Sequence, residues 1–212
     1  MIDLSLYLVT DRAMSRGRST LAVVEAAVRG GATCVQLREK SASTRRFVEE
    51  AMAVKGFLRE AGVPLIVNDR IDVALAVGAE GIHLGQTDML IRQARPLVGD
   101  RMLIGISAES VEDAIAAEAE GADYVSASPL FATPTKTDTA APLGMEGLRQ
   151  IRAAVRIPLV AIGGIHRDNC GEVIRSGADG VAVVSAIVSA EDPEAAAREI
   201  SSRIAEARRS CT

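Results

Sequence analysis

The segment "GATCVQLREK" (residues 31–40) joins a helix stop, an apolar strand and a polar strand end in one short stretch. Its first half, Gly-Ala followed by strand-forming residues, recurs as "GAEGIHL" (78–84), "GADYV" (121–125) and "GADGVAVV" (177–184). A glycine that ends a helix and leads directly into a strand is the pattern that repeated βα units produce. The recurrence therefore predicts parallel strands, each of which follows a helix.

Short strand-like runs alternate with Ala-rich helical segments along the whole chain. The runs are "LSLYLVT" (4–10), "TCVQLRE" (33–39), "PLIVN" (64–68), "GIHLG" (81–85), "MLIGIS" (102–107), "DYVSAS" (123–128), "PLVAIG" (158–163) and "GVAVVS" (180–185). Eight βα units without a break in composition predict an α/β protein, a single-domain (β/α)8 TIM barrel over residues 1–212. A doubly wound open sheet has the same local pattern and is the alternative.

Composition narrows the class of protein. The chain has 212 residues, is 48% hydrophobic and carries a net charge of −4, which disfavours broad binding to nucleic acid or to anionic membranes. No apolar run is long enough to cross a bilayer, and acidic residues stand near the start, where a signal peptide would be basic. We therefore expect a cytoplasmic protein with small-molecule partners; its oligomeric state is left open. The three cysteines have no metal-like spacing and are expected to be reduced.

Polar residues gather at the C-terminal ends of the predicted strands, where the active site of a barrel lies. Gln36, Arg38 and Lys40 alternate with apolar residues, so they share one face and form a receptor for a polyanion. After the next two strands come Asp69 and Asp88. Two carboxylates opposite a cationic cluster suit a magnesium ion that also binds substrate phosphates, although each aspartate alone is typical of a helix N-cap.

Two further segments indicate phosphate binding. Gly163 and Gly164 lie beside Ser185 of the last strand, and such a pair of turns forms the usual phosphate pocket of these barrels. A loop at about 129–144 is predicted to be an active-site lid and contains "TPTK" (133–136), which is either a second anion site or a solvated loop. The chain has three lysines against 21 arginines, so the presence of Lys136 there favours a function.

The two histidines are not predicted to take part in chemistry. His83 lies in the middle of a strand and is interpreted as a packed core residue, and His166 is expected to be exposed. With two phosphate sites, one divalent cation and no obvious nucleophile or Schiff-base lysine, the simplest chemistry is transfer of a group from a diphosphate to a phosphorylated acceptor.

The order of the motifs resembles that of the thiamine phosphate synthase family. The matching motifs are "YLVTD" (7–11), "VQLREK" (35–40), "IVNDR" (66–70), "GIHLGQTD" (81–88), "GIS" (105–107), "TPTK" (133–136), "AIGGI" (161–165) and "VVSAI" (183–187). The resemblance implies a (β/α)8 barrel that joins hydroxymethylpyrimidine diphosphate to a thiazole phosphate. It implies a transferase in thiamine biosynthesis, with a dissociative mechanism in which diphosphate leaves before the thiazole nitrogen attacks.

The resemblance also implies roles for individual residues. Contacts to the pyrimidine diphosphate would come from Gln36, Arg38, Lys40, Asn68, Ser107 and Lys136, of which Arg38, Lys40, Ser107 and Lys136 would assist catalysis. The thiazole phosphate would contact Thr133, Thr135, Gly164, Val184 and Ser185. Asp69 and Asp88 would hold Mg²⁺.

Three alternatives stay open. A thiazole tautomerase of the sister subfamily would have a histidine where this chain has Glu109. A non-catalytic sensor of thiamine precursors would have lost part of the magnesium or lysine set. Another phosphate-binding barrel, such as an isomerase of tryptophan biosynthesis, would leave "VQLREK" unexplained. The chain departs from the family pattern at Ser128, where a glycine is usual, and this is expected to alter the lid geometry slightly.

Overall fold

The computed structural model describes residues 2–133 and 141–210. Within them, eight parallel strands form one closed barrel in sequence order, with β8 hydrogen-bonded to β1. The strands are β1 (Leu6–Val9), β2 (Cys34–Leu37), β3 (Leu65–Asn68), β4 (Gly81–Leu84), β5 (Leu103–Ala108), β6 (Tyr124–Ala127), β7 (Leu159–Ile162) and β8 (Gly180–Val183). Every strand predicted from the sequence is present, and closure of the sheet excludes the doubly wound alternative.

Helices follow the strands and form the outer layer of the barrel. In the described ranges they are α1 (Thr20–Arg29), α2 (Thr44–Ala61), α3 (Ile71–Val77), α4 (Ile91–Val98), α5 (Val111–Ala119), α6 (Gly144–Ala154), α7 (Cys170–Arg175), α8 (Ser185–Val188) and α9 (Pro193–Arg209). Ser19, Ser43, Ser110 and Asp192 accept backbone N–H groups at the starts of α1, α2, α5 and α9, which satisfies donors that have no partner inside the helix. None of the helices in the described part of the chain has the length and apolar character needed to cross a membrane.

Alternation along the strands divides the apolar side chains into two clusters. The larger cluster lies between the strands and the helices and includes Val35 and Leu37 of β2. The smaller cluster fills the barrel interior and includes Tyr7, Cys34 and Tyr124. The strand predicted to point its polar residues inward therefore does so, with its apolar residues against the helices.

Helix α2 shows how the outer layer is held. Its buried residues are Phe47, Ala51, Val54 and Leu58, a spacing that keeps one face against the strands. Phe47 is 1% exposed, whereas Met52 on the same helix is 54% exposed. The two positions differ in burial within a single helix, and this makes them a matched pair for testing the outer layer.

We predict that Phe47→Ala lowers the free energy of unfolding by about 3–5 kcal/mol, because it removes a buried ring and leaves a cavity. Met52→Ala is the control and is expected to change that free energy by about 0.5 kcal/mol or less. Urea unfolding followed by circular dichroism measures both. Equal effects of the two substitutions would contradict the assignment of the buried face of α2.

Candidate active site

A cavity of about 330 Å³ opens at the C-terminal ends of the strands. The residues singled out from the sequence that line it are Gln36, Arg38, Lys40, Asn68, Asp69, Asp88, Ser107, Thr133, Gly163, Gly164, Val184 and Ser185. Ser128 also lines the cavity. Thr135 and Lys136 lie outside the described residues, so the lid at about 129–144 stays a prediction. Barrel closure thus brings groups from distant parts of the chain to one mouth.

The end of β2 carries two of the cavity's polar side chains. Gln36 is 4% exposed, and its Nε2 donates to the hydroxyl of Tyr7 at 3.0 Å. Arg38 lies two residues closer to the mouth of the barrel than Gln36. Its guanidinium donates to Asp11 Oδ2 at 2.9 Å, and its backbone N–H donates to Thr10 Oγ1 at 3.0 Å. The guanidinium is therefore held in place beside the cavity by a carboxylate from the β1 loop.

Lys40 and Asp69 form an ion pair at the cavity rim, with Lys40 Nζ 2.6 Å from Asp69 Oδ2. Asp69 has a φ of 60°, a left-handed conformation that a non-glycine residue rarely adopts. Its backbone N–H donates to the His83 carbonyl at 2.9 Å, which holds the turn after β3 in this conformation. Such strain persists where the surrounding structure fixes it, and it is commonly found at functional sites.

Asp88 belongs to the loop after β4, and its carboxylate lies next to that of Asp69 from the loop after β3. Its Oδ2 accepts the Gly85 N–H at 2.7 Å. Burial raises the pKa of Asp88, the Gly85 N–H lowers it in part, and the neighbouring Asp69 carboxylate raises it again. The N-caps of α3 and α4 are Arg70 and Leu90, so the N-cap alternative for the two aspartates is wrong.

Glu39 does not line the cavity, although it stands between Arg38 and Lys40 in the sequence. Its carboxylate accepts from Ser41 N at 2.8 Å, from Ala42 N at 3.2 Å and from Arg12 Nε at 2.9 Å. Burial by itself raises the pKa of Glu39, but these hydrogen bonds outweigh it and lower the pKa to about 2. Glu39 therefore braces the loop between β2 and α2, which carries Lys40.

A chain of hydrogen bonds crosses the floor of the cavity. The Tyr7 and Tyr124 hydroxyls are 2.9 Å apart, Tyr124 OH lies 3.0 Å from His83 Nδ1, and His83 Nε2 lies 3.0 Å from Ser107 Oγ. His83 is 7% exposed, in agreement with the prediction of a packed core residue, and both of its ring nitrogens have polar partners. His166 is exposed, in agreement with the prediction.

Tyr124 reaches this position because Gly105 of β5 places no side chain beneath its ring. A Cβ built on Gly105 would lie 2.0 Å from Tyr124 Cζ, so only glycine leaves room for the ring. Burial raises the pKa of both phenols well above the usual value. The floor is therefore made of neutral hydroxyls that act as hydrogen-bond donors and acceptors.

The turn after β7 approaches the lid region closely. Gly163 and Gly164 have φ values of 104° and 64°, and a Cβ on Gly164 would lie 2.8 Å from Phe131 Cβ. Beside this turn, Val184 and Ser185 begin α8, whose first backbone N–H groups have no partner inside the helix. The chain thus leaves backbone donors at the β8 side of the cavity.

Lys55, the third lysine, lies outside the cavity. It pairs with Glu80, whose other carboxylate oxygen accepts the Leu65 N–H at 2.8 Å. The scarcity of lysine therefore does not by itself mark a functional position: Lys40 lies at the rim, whereas Lys55 supports the start of β3.

A closed (β/α)8 barrel with cations, paired carboxylates and a glycine turn at its C-terminal mouth is the architecture of a barrel enzyme whose active site lies at that mouth. The family model described as thiamine monophosphate synthase matches residues 6–187. The chain belongs to this family.

Individual relatives match this chain over nearly its full length. The thiamine-phosphate synthase of Chloroflexus aurantiacus is 57% identical over 200 residues, which cover 94% of this chain and 92% of that protein. The thiamine-phosphate synthase of Albidiferax ferrireducens is also 57% identical, over 92% of this chain and 89% of that protein. The structure of thiamine phosphate pyrophosphorylase from Pyrococcus furiosus has a TM-score of 0.90 at 42% identity and covers 97% of each chain.

Sequence reasoning missed the floor of the cavity. Tyr7 and Tyr124 were not singled out, and Glu109 and Gln86, which line the cavity as Tyr7 does, were not placed there. One signal was available for the tyrosines and His83: each stands at an inward position of its strand. The register needed to read this signal comes only from the closed sheet.

We predict that Glu39→Gln destabilises the protein at neutral pH and that this difference disappears in acid. The folded-state pKa of about 2 lies below the ordinary value of 4.5, so the carboxylate stabilises the fold above pH 4.5, and this stabilisation is lost as pH falls towards 2. Urea midpoints of both proteins between neutral pH and pH ~2 measure the difference. A gap that stayed constant over this range would contradict the bracing role of the carboxylate.

Proposed function

We propose that the chain is a thiamine phosphate synthase. It joins 4-amino-2-methyl-5-hydroxymethylpyrimidine diphosphate to 4-methyl-5-(2-phosphoethyl)thiazole, or to the carboxylated form of this thiazole, and gives thiamine phosphate and diphosphate, together with carbon dioxide where the carboxylated form reacts. The observation that carries the proposal is the gathering of Arg38, Lys40, the two aspartates and the Gly163–Gly164 turn around one cavity, in a chain of this family. Because both substrates are phosphorylated and do not cross a bilayer unaided, the proposed reaction is cytoplasmic.

The diphosphate is proposed to bind at the β2 and β3 side of the cavity. Arg38, Lys40 and Asn68 line this side, and Lys136 is proposed to join them from the lid. Arg38 and Lys40 are both ion-paired, to Asp11 and Asp69. A diphosphate that enters between them exchanges one set of charge-assisted hydrogen bonds for another, so the cations need no large movement to bind it.

Asp69 and Asp88 are proposed to bind magnesium together with the diphosphate. Their carboxylates crowd each other enough to contribute to the raised pKa of Asp88, and a divalent cation would relieve that repulsion. In the described part of the chain no group of three or more acidic, histidine or cysteine side chains could hold a metal. Two carboxylates completed by phosphate oxygens are what Mg²⁺ commonly uses, and bound Mg²⁺ would neutralise charge on the diphosphate.

The thiazole phosphate is proposed to bind at the β7 and β8 side. Gly164, Val184 and Ser185 offer backbone N–H groups and a hydroxyl there, and Thr133 lines the same cavity. Thr135 is proposed to add a second hydroxyl from the lid. The two anionic groups would then lie at different strands around the cavity, with the reacting carbon and nitrogen between them.

The proposed reaction needs no base from the protein. The bond between the pyrimidine methylene carbon and the diphosphate oxygen breaks, and its electron pair leaves with diphosphate. The thiazole nitrogen then uses its lone pair to form the new C–N bond, so no proton is removed. The protein's task is to stabilise the charge of the departing diphosphate with Arg38, Lys40 and Lys136, and to hold the two rings in line, with Ser107 oriented by His83 at the floor.

The alternatives differ in what they ask of the cavity. A tautomerase moves a proton and needs a base, whereas this chain has Glu109 at the position of that histidine, with its N–H bonded to Asp113. A sensor of thiamine precursors would bind both ligands without turnover. Each alternative leaves the paired carboxylates without a role in chemistry, and for this reason we favour the synthase.

We predict that the purified protein, given Mg²⁺ and both proposed substrates, forms thiamine phosphate and diphosphate in equal amounts, and that a chelator abolishes both. Chromatography of the products and a coupled diphosphate assay measure the two separately. Folded protein that binds the thiazole phosphate but forms neither product would contradict the synthase and favour the sensor. Turnover of a thiazole tautomer alone, with Asp88→Ala fully active, would favour the tautomerase.

We predict that Lys136→Ala lowers the rate of product formation by about 10²–10³-fold, because it removes one charge from the departing diphosphate. Lys55→Ala is the control: it also removes a lysine, but from the Glu80 pair outside the cavity, and kcat is expected to stay within about twofold. Steady-state kinetics of both variants at saturating Mg²⁺ measure the effects. An equal loss in the two variants would contradict a role for Lys136 in the reaction.

A further inference from the structure

We propose that the hydrogen-bond chain across the cavity floor runs in one direction and sets the polarity of its two ends, with Gln36 Oε1 as an acceptor and the Ser107 hydroxyl as a donor. Tyr7, Tyr124 and His83 are then positioning residues that select a heteroaromatic ring carrying an amino donor and a ring-nitrogen acceptor. The identity of that ring rests on the proposed function, whereas the direction of the chain does not.

The direction begins at Gln36. Its Nε2 donates to the Tyr7 hydroxyl, so its Oε1 is the amide atom left to face the cavity. The Tyr7 oxygen, having accepted this bond, gives its own proton to the next acceptor, Tyr124 OH at 2.9 Å. Cys34 also lies in the interior cluster, but a thiol sulfur is a weak acceptor and does not compete well with a phenol oxygen.

The Tyr124 hydroxyl accepts from Tyr7 and therefore donates to His83 Nδ1 at 3.0 Å. A neutral imidazole carries one proton, so Nδ1 as acceptor requires the proton on Nε2. His83 Nε2 then donates to Ser107 Oγ at 3.0 Å. The serine oxygen is thereby used as an acceptor by the histidine, and its proton points to the remaining neighbour, the cavity.

The members of this hydrogen-bond chain are buried. Gln36, Tyr7, Tyr124 and His83 are all at most 7% exposed, and no buried side-chain nitrogen or oxygen of the described residues lacks a hydrogen-bond partner. Burial keeps both phenols neutral, so neither tyrosine can become a pure acceptor and reverse the sequence. To reverse the direction, the Gln36 amide would have to turn over, and both tyrosine hydroxyls would have to donate to their other neighbour. The imidazole proton of His83 would also have to move from Nε2 to Nδ1.

The two ends impose opposite demands on a ligand. Gln36 Oε1 requires a donor, and an exocyclic amino group supplies one, whereas a carbonyl at the same position would place two acceptors face to face. Ser107 requires an acceptor, which an unprotonated ring nitrogen supplies. A 4-aminopyrimidine satisfies both ends, and its 4-oxo analogue fails at the Gln36 end.

The direction can be read from the histidine tautomer in the ligand-free protein. The protein has two histidines, so a ¹⁵N spectrum of the tag-free protein shows His83 together with the exposed His166, which serves as an internal reference. At pH ~8, above the ordinary histidine pKa, we expect Nδ1 of His83 to show the chemical shift of an unprotonated ring nitrogen and Nε2 that of a protonated one. The opposite tautomer in the wild-type protein would overturn the proposed direction.

The selection is tested by binding rather than by turnover, with the 4-amino and 4-oxo forms of the pyrimidine diphosphate as probes in titration calorimetry. Tyr124→Phe removes the donor to His83, and Tyr7→Phe removes the acceptor of Gln36. Each is expected to reduce the preference for the amino form by about tenfold, the effect of about one hydrogen bond. Tyr124→Phe is also expected to shift the His83 tautomer. Ile66→Val, in the same interior cluster but outside the chain of hydrogen bonds, is the control and is expected to leave both readouts unchanged.

The outcomes separate the two proposals. An unchanged amino preference in both tyrosine variants, with both folded, would overturn the positioning role. If the protein shows the expected His83 tautomer and the expected preference for the amino form but forms no thiamine phosphate, the direction of the hydrogen-bond chain is supported and the synthase is refuted. A smaller preference in Ile66→Val, equal to that of the tyrosine variants, would mean that packing and not hydrogen-bond direction selects the ring, and would also overturn the proposal.

Discussion

The interior of a closed eight-stranded barrel is narrow, and every second residue of each strand must point into it. A polar group placed there leaves water behind and must find its hydrogen bonds among the other inward-pointing side chains. In this chain Tyr7, Tyr124 and His83 meet that demand together, because each can both donate and accept. The floor they form fixes Gln36 and Ser107, and the cavity above it takes its shape and polarity from these bonds.

Charge at the rim is balanced in a similar way. Arg38 and Lys40 are held by Asp11 and Asp69, so neither cation needs a ligand to stay in place. These pairs are only partly buried, and their net contribution to the stability of the fold is small. Their value lies in position, since a phosphate that replaces a carboxylate partner meets a guanidinium or an ammonium already directed at it.

The sequence predicted the barrel and most of its mouth because both depend on short-range signals. The Gly-Ala strand starts mark the βα units, and the alternation in Gln36, Arg38 and Lys40 gives the inward face of β2. The sequence did not predict the partners of His83, because they come from β5 and β6 and depend on the register of the closed sheet. Nor could it separate Glu39 from its neighbours, since the bonds to Arg12 and Ser41 follow from the path of the loop.

Within "VQLREK" (35–40), stability and binding are assigned to alternate residues. Val35 and Leu37 pack in the outer cluster, and Glu39 braces the loop, whereas Gln36 and Arg38 face the cavity. Because adjacent residues point to opposite sides of the strand, the binding face can be strongly polar without placing any polar atom against the helices. Strands of parallel sheets are usually buried and apolar on both faces. The polarity of one face of β2 is therefore tolerated only at the mouth, where a ligand, a partner carboxylate or the buried hydrogen-bond chain satisfies it.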